Sequence, residues 1–131
     1  MGTWGIQLAL VMVGGALGAA LRFMAGGWLL RQFGGHWPWG TLAVNLVGSF
    51  LIGFLVIWLE GRGPTAVYWR ALLMVGVLGG LTTYSSLMLE SLLMGHQQRI
   101  AGAAGYLAVT LVCGLLLVWL GARGAQLLRA G

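Results

Sequence analysis

The chain has 131 residues, of which 60% are hydrophobic and only 7% are charged. Soluble domains carry about 25% charged residues, so this composition excludes a domain with a water-facing surface. The net charge of +5 comes from arginines that stand singly along the chain without a basic cluster, which argues against nucleic-acid binding.

Four apolar stretches follow one another, each long enough to cross the bilayer, for which roughly 20 helical residues suffice. Short polar turns join them, and the 7 tryptophans fall near their ends, as expected for rings at a membrane interface. The sequence therefore predicts an all-α, multi-pass membrane protein with a single transmembrane domain over residues 1–131. Its helices are expected at about residues 4–30, 39–59, 68–94 and 100–120.

The first two helices carry patterns suited to close packing. Gly14 and Gly18 stand four residues apart, a spacing that lets helix backbones approach each other in lipid, within one subunit or across two. On the second helix, Thr41, Asn45 and Ser49 follow at i, i+4 and i+8 and form one polar stripe. Polar groups at this depth are costly, so the stripe indicates either hydrogen bonds between helices or a functional surface.

The third helix is interrupted near the centre of its span by the segment Gly79–Ser86, which reads GGLTTYSS. Glycines and hydroxyl residues make a poor helix and free backbone amides and carbonyls. Irregular backbone persists at this depth only where it is buried in protein or lines a polar cavity. We therefore interpret the interruption as a candidate ion site, the alternative being a glycine kink satisfied by its own threonines.

The fourth helix repeats the polar spacing with Tyr106 and Thr110, and its Cys113 is the only cysteine of the chain. The only acidic residues are Glu60, at the end of the second helix, and Glu90, after the interruption. No carboxylate lies at the middle of a span, and no nucleophile–base pair or metal-ligand spacing occurs. The sequence therefore predicts a protein that is not an enzyme and has no evident proton relay.

The arginines give the chain little preference for one orientation in the membrane. Four spans place both termini on one side, with Arg62, Arg70, Arg123 and Arg129, against Arg31 and Arg99 on the other, plus Arg22 if its side chain reaches that side. Such a weak bias leaves orientation open to single charges. We therefore hypothesise insertion in both directions and assembly as an antiparallel pair.

Three segments of this chain resemble the Fluc (CrcB) family of fluoride channels. They are Gly14–Phe23 on the first helix, Gly40–Gly53 on the second, and Gly79–Ser86 followed by Glu90 on the third. All three stand in the family's order and on the corresponding helices. Together they cover nearly the whole chain.

The resemblance implies a passive channel that exports fluoride across the inner membrane, built as an antiparallel homodimer with two pores within membrane lipid. It also implies a structural sodium ion (Na⁺) at the dimer centre, held by the backbone carbonyls of Gly79 and Thr82. The fluoride pathway would involve Arg22, Asn45, Tyr84, Ser85, Ser86, Leu87, Glu90, Tyr106 and Thr110.

This chain departs from the family at two positions of the third helix. The family usually has two phenylalanines there, three residues apart, and this chain has Tyr84 and Leu87. Tyr84 keeps an electropositive ring edge and adds a hydroxyl, whereas Leu87 has neither. Hydrogen-bond donors without a fixed charge, such as Asn45 and Thr110, still suit a small, strongly hydrated anion that must pass without being trapped.

Two other functions are compatible with four helices and small-residue packing. One is a small dual-topology multidrug transporter, which should carry a carboxylate within a helix. The other is a non-conducting membrane assembly protein that uses its glycine faces for packing only.

Overall fold

The computed structural model describes residues 2–130, and the described chain is entirely helical apart from short connections. Four of its segments are long and apolar enough to cross a membrane, which makes this a multi-pass membrane protein. The first is α1, Thr3–Phe33, and the second is α2, Trp39–Trp58. The third runs over Ala66–His96, and the fourth is α6, Ile100–Ala130.

The fourth helix continues to Ala130, well past the end expected at Leu120. At about 46 Å it is longer than the hydrocarbon layer, which is about 30 Å thick. Its last turn is held by Arg129, whose Nη1 donates a hydrogen bond of 2.6 Å to the carbonyl of Ile57 and lies 4.0 Å from the carboxylate of Glu60. The last turn of α6 thus contacts the end of α2.

The third span is assembled from pieces with different hydrogen bonding. It begins as α3, Ala66–Trp69, and continues over Arg70–Leu78 as a π-helix with i→i+5 hydrogen bonds. The short α4, Gly79–Leu81, follows. Thr82 and Thr83 then have extended backbone, with ψ of 155° and 118°, before α5 begins at Tyr84 and runs to His96.

Glycines bring the helices into backbone contact in two pairs. A Cβ on Gly14 or Gly18 of α1 would meet the carbonyls of Leu72 or Val77 in the π-helical segment. A Cβ on Gly53 of α2 would likewise meet a backbone carbonyl of α6. Inside lipid the hydrophobic effect does not drive helices together, because the lipid tails are as apolar as the side chains. Close packing of this kind therefore holds the bundle together.

The described chain has a small buried core beside α5, and further buried residues lie singly along the other helices. Its buried cluster consists of Leu42, Leu87, Met94 and Tyr106, and Tyr106 is fully enclosed. Most other large apolar side chains are exposed on the outside of the helices. An apolar exterior of this kind is suited to lipid or to another membrane-embedded surface.

Candidate functional site

The extended residues of the third span are held by the side chain of Asn45. Its Oδ1 accepts a hydrogen bond of 2.7 Å from the Thr83 amide, and its Nδ2 donates one of 3.0 Å to the Thr83 carbonyl. One N–H of Nδ2 remains beyond these two bonds. The polar stripe of α2 therefore places its central residue directly against the irregular backbone.

Thr83 also caps α5. Its Oγ1 accepts a hydrogen bond of 3.2 Å from the Ser86 amide and lies 3.1 Å from Ser86 Oγ and 3.3 Å from Ser85 Oγ. This is the N-cap arrangement by which a hydroxyl satisfies the free amides of a first helical turn. It allows a new helix to begin at membrane depth.

These contacts release two carbonyls from helical hydrogen bonding. In a continuous α-helix, the carbonyls of Gly79 and Thr82 would accept from the amides of Thr83 and Ser86. Those amides donate instead to Asn45 Oδ1 and Thr83 Oγ1. The carbonyls of Gly79 and Thr82 thus lack the donors that a continuous α-helix would give them.

A second polar cluster lies between α2, α5 and α6 and is centred on the carboxylate of Glu90. Thr41 Oγ1 donates to Glu90 Oε1 at 2.6 Å, and the hydroxyl of Tyr106 donates to Glu90 Oε2 at 2.7 Å. Among residues 2–130, no buried side-chain nitrogen or oxygen lacks a hydrogen-bond partner. Each carboxylate oxygen of Glu90 therefore accepts a hydrogen bond from a neighbouring hydroxyl.

Two clefts flank this cluster. The first, here called the break groove, has a volume of about 460 Å³ and is lined by residues that include Asn45, Ser49, Gly79, Thr82, Thr83, Tyr84, Leu87 and Thr110. The second, here called the loop cleft, has a volume of about 330 Å³ and opens beside the α1–α2 and α5–α6 connections. Its lining includes His36, Trp37, Glu90, Met94, Gln97 and Arg99.

Thr110 and Tyr106 connect the two clefts. Thr110 lines the break groove, and its Oγ1 donates a hydrogen bond of 2.8 Å to the carbonyl of Tyr106, one turn earlier on α6. Tyr106 in turn contacts Glu90, which lines the loop cleft. A series of polar groups, here called the polar route, thus runs from the break groove through Thr110 and Tyr106 to Glu90 in the loop cleft.

The remaining residues expected along this route are placed differently from one another. Tyr84 and Leu87 both line the break groove, but Tyr84 is 75% exposed, whereas Leu87 is 5% exposed and belongs to the buried cluster. Ser85 and Ser86 stand on the first turn of α5, beside Thr83. Arg22 is half-buried on α1 and lines neither cleft.

Two residues of the site were not assigned to the fluoride pathway from the sequence. Thr41 contacts Glu90, and Thr83 carries most of the hydrogen bonds at the irregular backbone. The signal for Thr41 was its position one turn before Asn45 on the same polar stripe. The signal for Thr83 was a threonine followed three residues later by Ser86, the spacing of a helix cap.

Comparison with known proteins gives a family for this arrangement. Residues 9–122 match the profile of the family described as "CrcB-like protein, Camphor Resistance (CrcB)". The match includes α2, the irregular backbone, α5 and most of α6, and therefore every residue of the polar route described above.

Curated relatives are similar over nearly their whole length, and each is called "Fluoride-specific ion channel FluC". The protein of Xylella fastidiosa (strain 9a5c) is 56% identical over 92% of this chain and 84% of its own length. The protein of Xanthomonas axonopodis pv. citri (strain 306) is 55% identical over 94% of this chain and 92% of its own. A more distant relative from Agrobacterium fabrum is 42% identical over 88% of this chain and 93% of its own.

Proposed function

The chain belongs to the CrcB-like family, and from this premise we propose that it is a fluoride-specific ion channel rather than an enzyme. The curated relatives carry that name at up to 56% identity. The structural observation that supports it best is the polar route from the break groove to the loop cleft. The protein would export fluoride passively across the inner membrane.

The route suits fluoride because it replaces water with hydrogen-bond donors that carry no fixed positive charge. Asn45, with one N–H of Nδ2 not used by Thr83, lines the same groove as Tyr84 and Thr110, and Ser85 and Ser86 lie beside Thr83, which also lines that groove. Several weak donors in series let a strongly hydrated ion shed water in steps, whereas a single strong site would hold it. Tyr106 and Thr41 carry the route on to Glu90.

An antiparallel dimer would complete this pathway. The break groove is open along one side of a single subunit, and Tyr84 is 75% exposed there at membrane depth. Polar backbone at this depth needs protein around it, because lipid offers no hydrogen bonds. A second copy in the opposite orientation would close the groove and give two equivalent pores, with lipid around the pair.

A sodium ion fits the same dimer. The carbonyls of Gly79 and Thr82, which have lost their helical donors, would hold the ion together with the same two carbonyls of the second copy. Within residues 2–130, no cluster of three His, Cys, Asp or Glu residues offers a metal site of another kind. The ion would stabilise the crossing of the two irregular segments by neutralising their carbonyl dipoles.

Liposomes loaded with potassium fluoride or potassium chloride test the proposed function. With valinomycin present to balance charge, an ion-selective electrode should record rapid fluoride efflux and no chloride efflux. Efflux that required a proton gradient would favour the transporter alternative. Vesicles that remained inert, with folded dimeric protein in the membrane, would favour a non-conducting assembly protein.

A further inference from the structure

The loop cleft contains one charged group that the polar route does not use, the guanidinium of Arg99. Arg99 is half-buried at the start of α6, and its Nη1 donates a hydrogen bond of 3.0 Å to the carbonyl of His36 in the α1–α2 connection. This single contact joins the two connections that frame the cleft. Its remaining N–H groups are available to the cleft.

The position of Arg99 is fixed by a tight turn. Gln98 adopts a left-handed conformation with φ of 60°, and the Arg99 amide donates a 2.9 Å hydrogen bond to the carbonyl of Met94. Such a conformation is unfavourable for a residue with a Cβ, so the surrounding contacts must hold it. The turn directs Arg99 back over the end of α5 and beside the opening of the cleft.

The α1–α2 connection is itself seated on the polar cluster. The ring of Trp37 packs edge-on against that of Tyr106, with centroids 5.8 Å apart. Tyr106 donates to Glu90, and Glu90 lines the cleft below. Arg99 therefore stands over a cleft whose inner end is a carboxylate.

That carboxylate creates an electrostatic difficulty for an anion. Fluoride leaving or entering the polar route through this cleft would meet the negative charge of Glu90. Among the residues that line the cleft within the described range 2–130, Arg99 is the one arginine, and lysine does not occur in the chain. A single cation at the opening of a low-dielectric cleft offsets such a charge and raises the local concentration of anions.

We propose that Arg99 is the anion-attracting residue of the loop cleft, compensating Glu90 and concentrating fluoride at the end of the pathway. This inference rests on the proposed function and names a further residue for it. Arg99 acts through its charge at the opening and does not itself bind fluoride along the polar route. The effect must therefore depend on ionic strength.

Single-channel currents in planar bilayers test this role with the full-length protein. At about 10 mM potassium fluoride, where the screening length is about 30 Å, Arg99→Gln should lower the fluoride conductance roughly two- to fivefold. When potassium gluconate raises the ionic strength to about 1 M, the screening length falls to about 3 Å and the variant should approach the wild type. Arg99→Lys keeps the charge and should retain the wild-type conductance at both salt concentrations.

Arg31→Gln is the matched control. Arg31 is exposed at the end of α1, on the same side of the membrane, and its Nε donates to the carbonyl of Gly27 rather than into the loop cleft. Arg31→Gln should leave the fluoride conductance within measurement error of the wild type at both salt concentrations.

Three results would overturn the proposal while leaving the fluoride channel intact. They are an equal loss in Arg99→Gln and Arg31→Gln, a loss in Arg99→Gln that does not change with salt, and an equal loss in Arg99→Lys and Arg99→Gln. The last two would make Arg99 a brace between loops only. A wild-type protein that carried no fluoride current would overturn the proposed function and this inference together.

Discussion

At the scale of single residues, Asn45 has the most demanding task, because one amide group satisfies both the N–H and the carbonyl of Thr83. An asparagine is suited to this, since it carries a donor and an acceptor on one planar group. Aspartate has nearly the same shape but only acceptors when ionised. Its second oxygen would face the Thr83 carbonyl across a distance that is now a hydrogen bond of 3.0 Å.

Asn45→Asp should therefore abolish most of the fluoride current and destabilise the protein by about 1–3 kcal/mol, the cost of leaving a buried acceptor without its donor. Fluoride efflux from liposomes and thermal unfolding in detergent measure the two effects. Ser91→Ala is the control, because Ser91 Oγ donates to the carbonyl of Leu87, one turn earlier on its own helix, and Ser91 lines neither cleft. An Asn45→Asp current equal to that of the wild type would remove Asn45 from the pathway.

Tyr106 is the second residue whose hydroxyl carries a defined bond. Tyr106→Phe removes the 2.7 Å hydrogen bond to Glu90 Oε2 and leaves Thr41 as the remaining donor to this carboxylate. We expect a lower fluoride conductance and a loss of about 1.5–3 kcal/mol of stability, as for a hydrogen bond to a charged group. Tyr68→Phe, which lies outside both clefts, should change neither quantity. Equal behaviour of the two variants would contradict a role for the Glu90 cluster.

At the scale of helices, the sequence predicts the number and order of the spans, because about 20 apolar residues between polar turns admit few other structures. It does not predict where the helix hydrogen bonds change. The π-helical stretch Arg70–Leu78 packs closely on α1 at Gly14 and Gly18, a tertiary contact that no local propensity encodes. The extension of α6 to Ala130 brings Arg129 to the end of α2, a contact between residues far apart in sequence.

The candidate site divides in the same way. The polar faces of α2 and α6 follow from i, i+4 spacing, so Asn45, Tyr106 and Thr110 could be selected from the sequence. Which group each one contacts depends on tertiary packing, and Thr83 gains its importance only once its backbone meets Asn45. The α5 cap could have been found from its spacing, but the release of two carbonyls requires the three-dimensional contacts.

The close contact between α2 and α6 gives a prediction about these helices. A Cβ at Gly53 would collide with the carbonyl of Val118, and one at Gly121 would collide with that of Phe50. Gly53→Ala and Gly121→Ala should each lower the free energy of unfolding by about 1–3 kcal/mol, because the backbones must separate. Thermal unfolding in detergent measures the loss.

Gly124→Ala is the control on the same helix, one turn after Gly121, where an added Cβ would meet nothing within 4 Å. It should be neutral or slightly stabilising, since alanine favours the helix over glycine by up to about 1 kcal/mol. If all three alanine variants were equally stable, the α2–α6 contact would be looser than the structure has it.

At the scale of the whole molecule, the open break groove and the balanced distribution of arginines both bear on the proposed antiparallel dimer. A groove with polar backbone at membrane depth is unfavourable in a lone subunit. An inverted copy, as proposed, would bring the two irregular segments face to face at the same depth. The weak orientation bias would allow one gene product to supply both orientations.

Added arginines should therefore fix the orientation of each variant and show whether fluoride conduction requires both orientations. Thr65→Arg with Gly63→Arg adds charge to the α2–α3 connection, and Gln97→Arg with Gln98→Arg adds it to the α5–α6 connection on the opposite side. Each double variant should insert mainly one way, with its added charges in the cytoplasm, and should conduct poorly alone. Coexpression of the two should restore fluoride efflux, because it supplies both orientations for an antiparallel pair.

The folding of each variant is checked first by thermal unfolding, because Gly63 has a φ of 75° and Gln98 one of 60°. Where a double variant fails to fold, the single variant Thr65→Arg or Gln97→Arg replaces it. Full activity of each variant alone, with a C-terminal tag found on one side only, would contradict the antiparallel dimer and leave a parallel or single-subunit pathway.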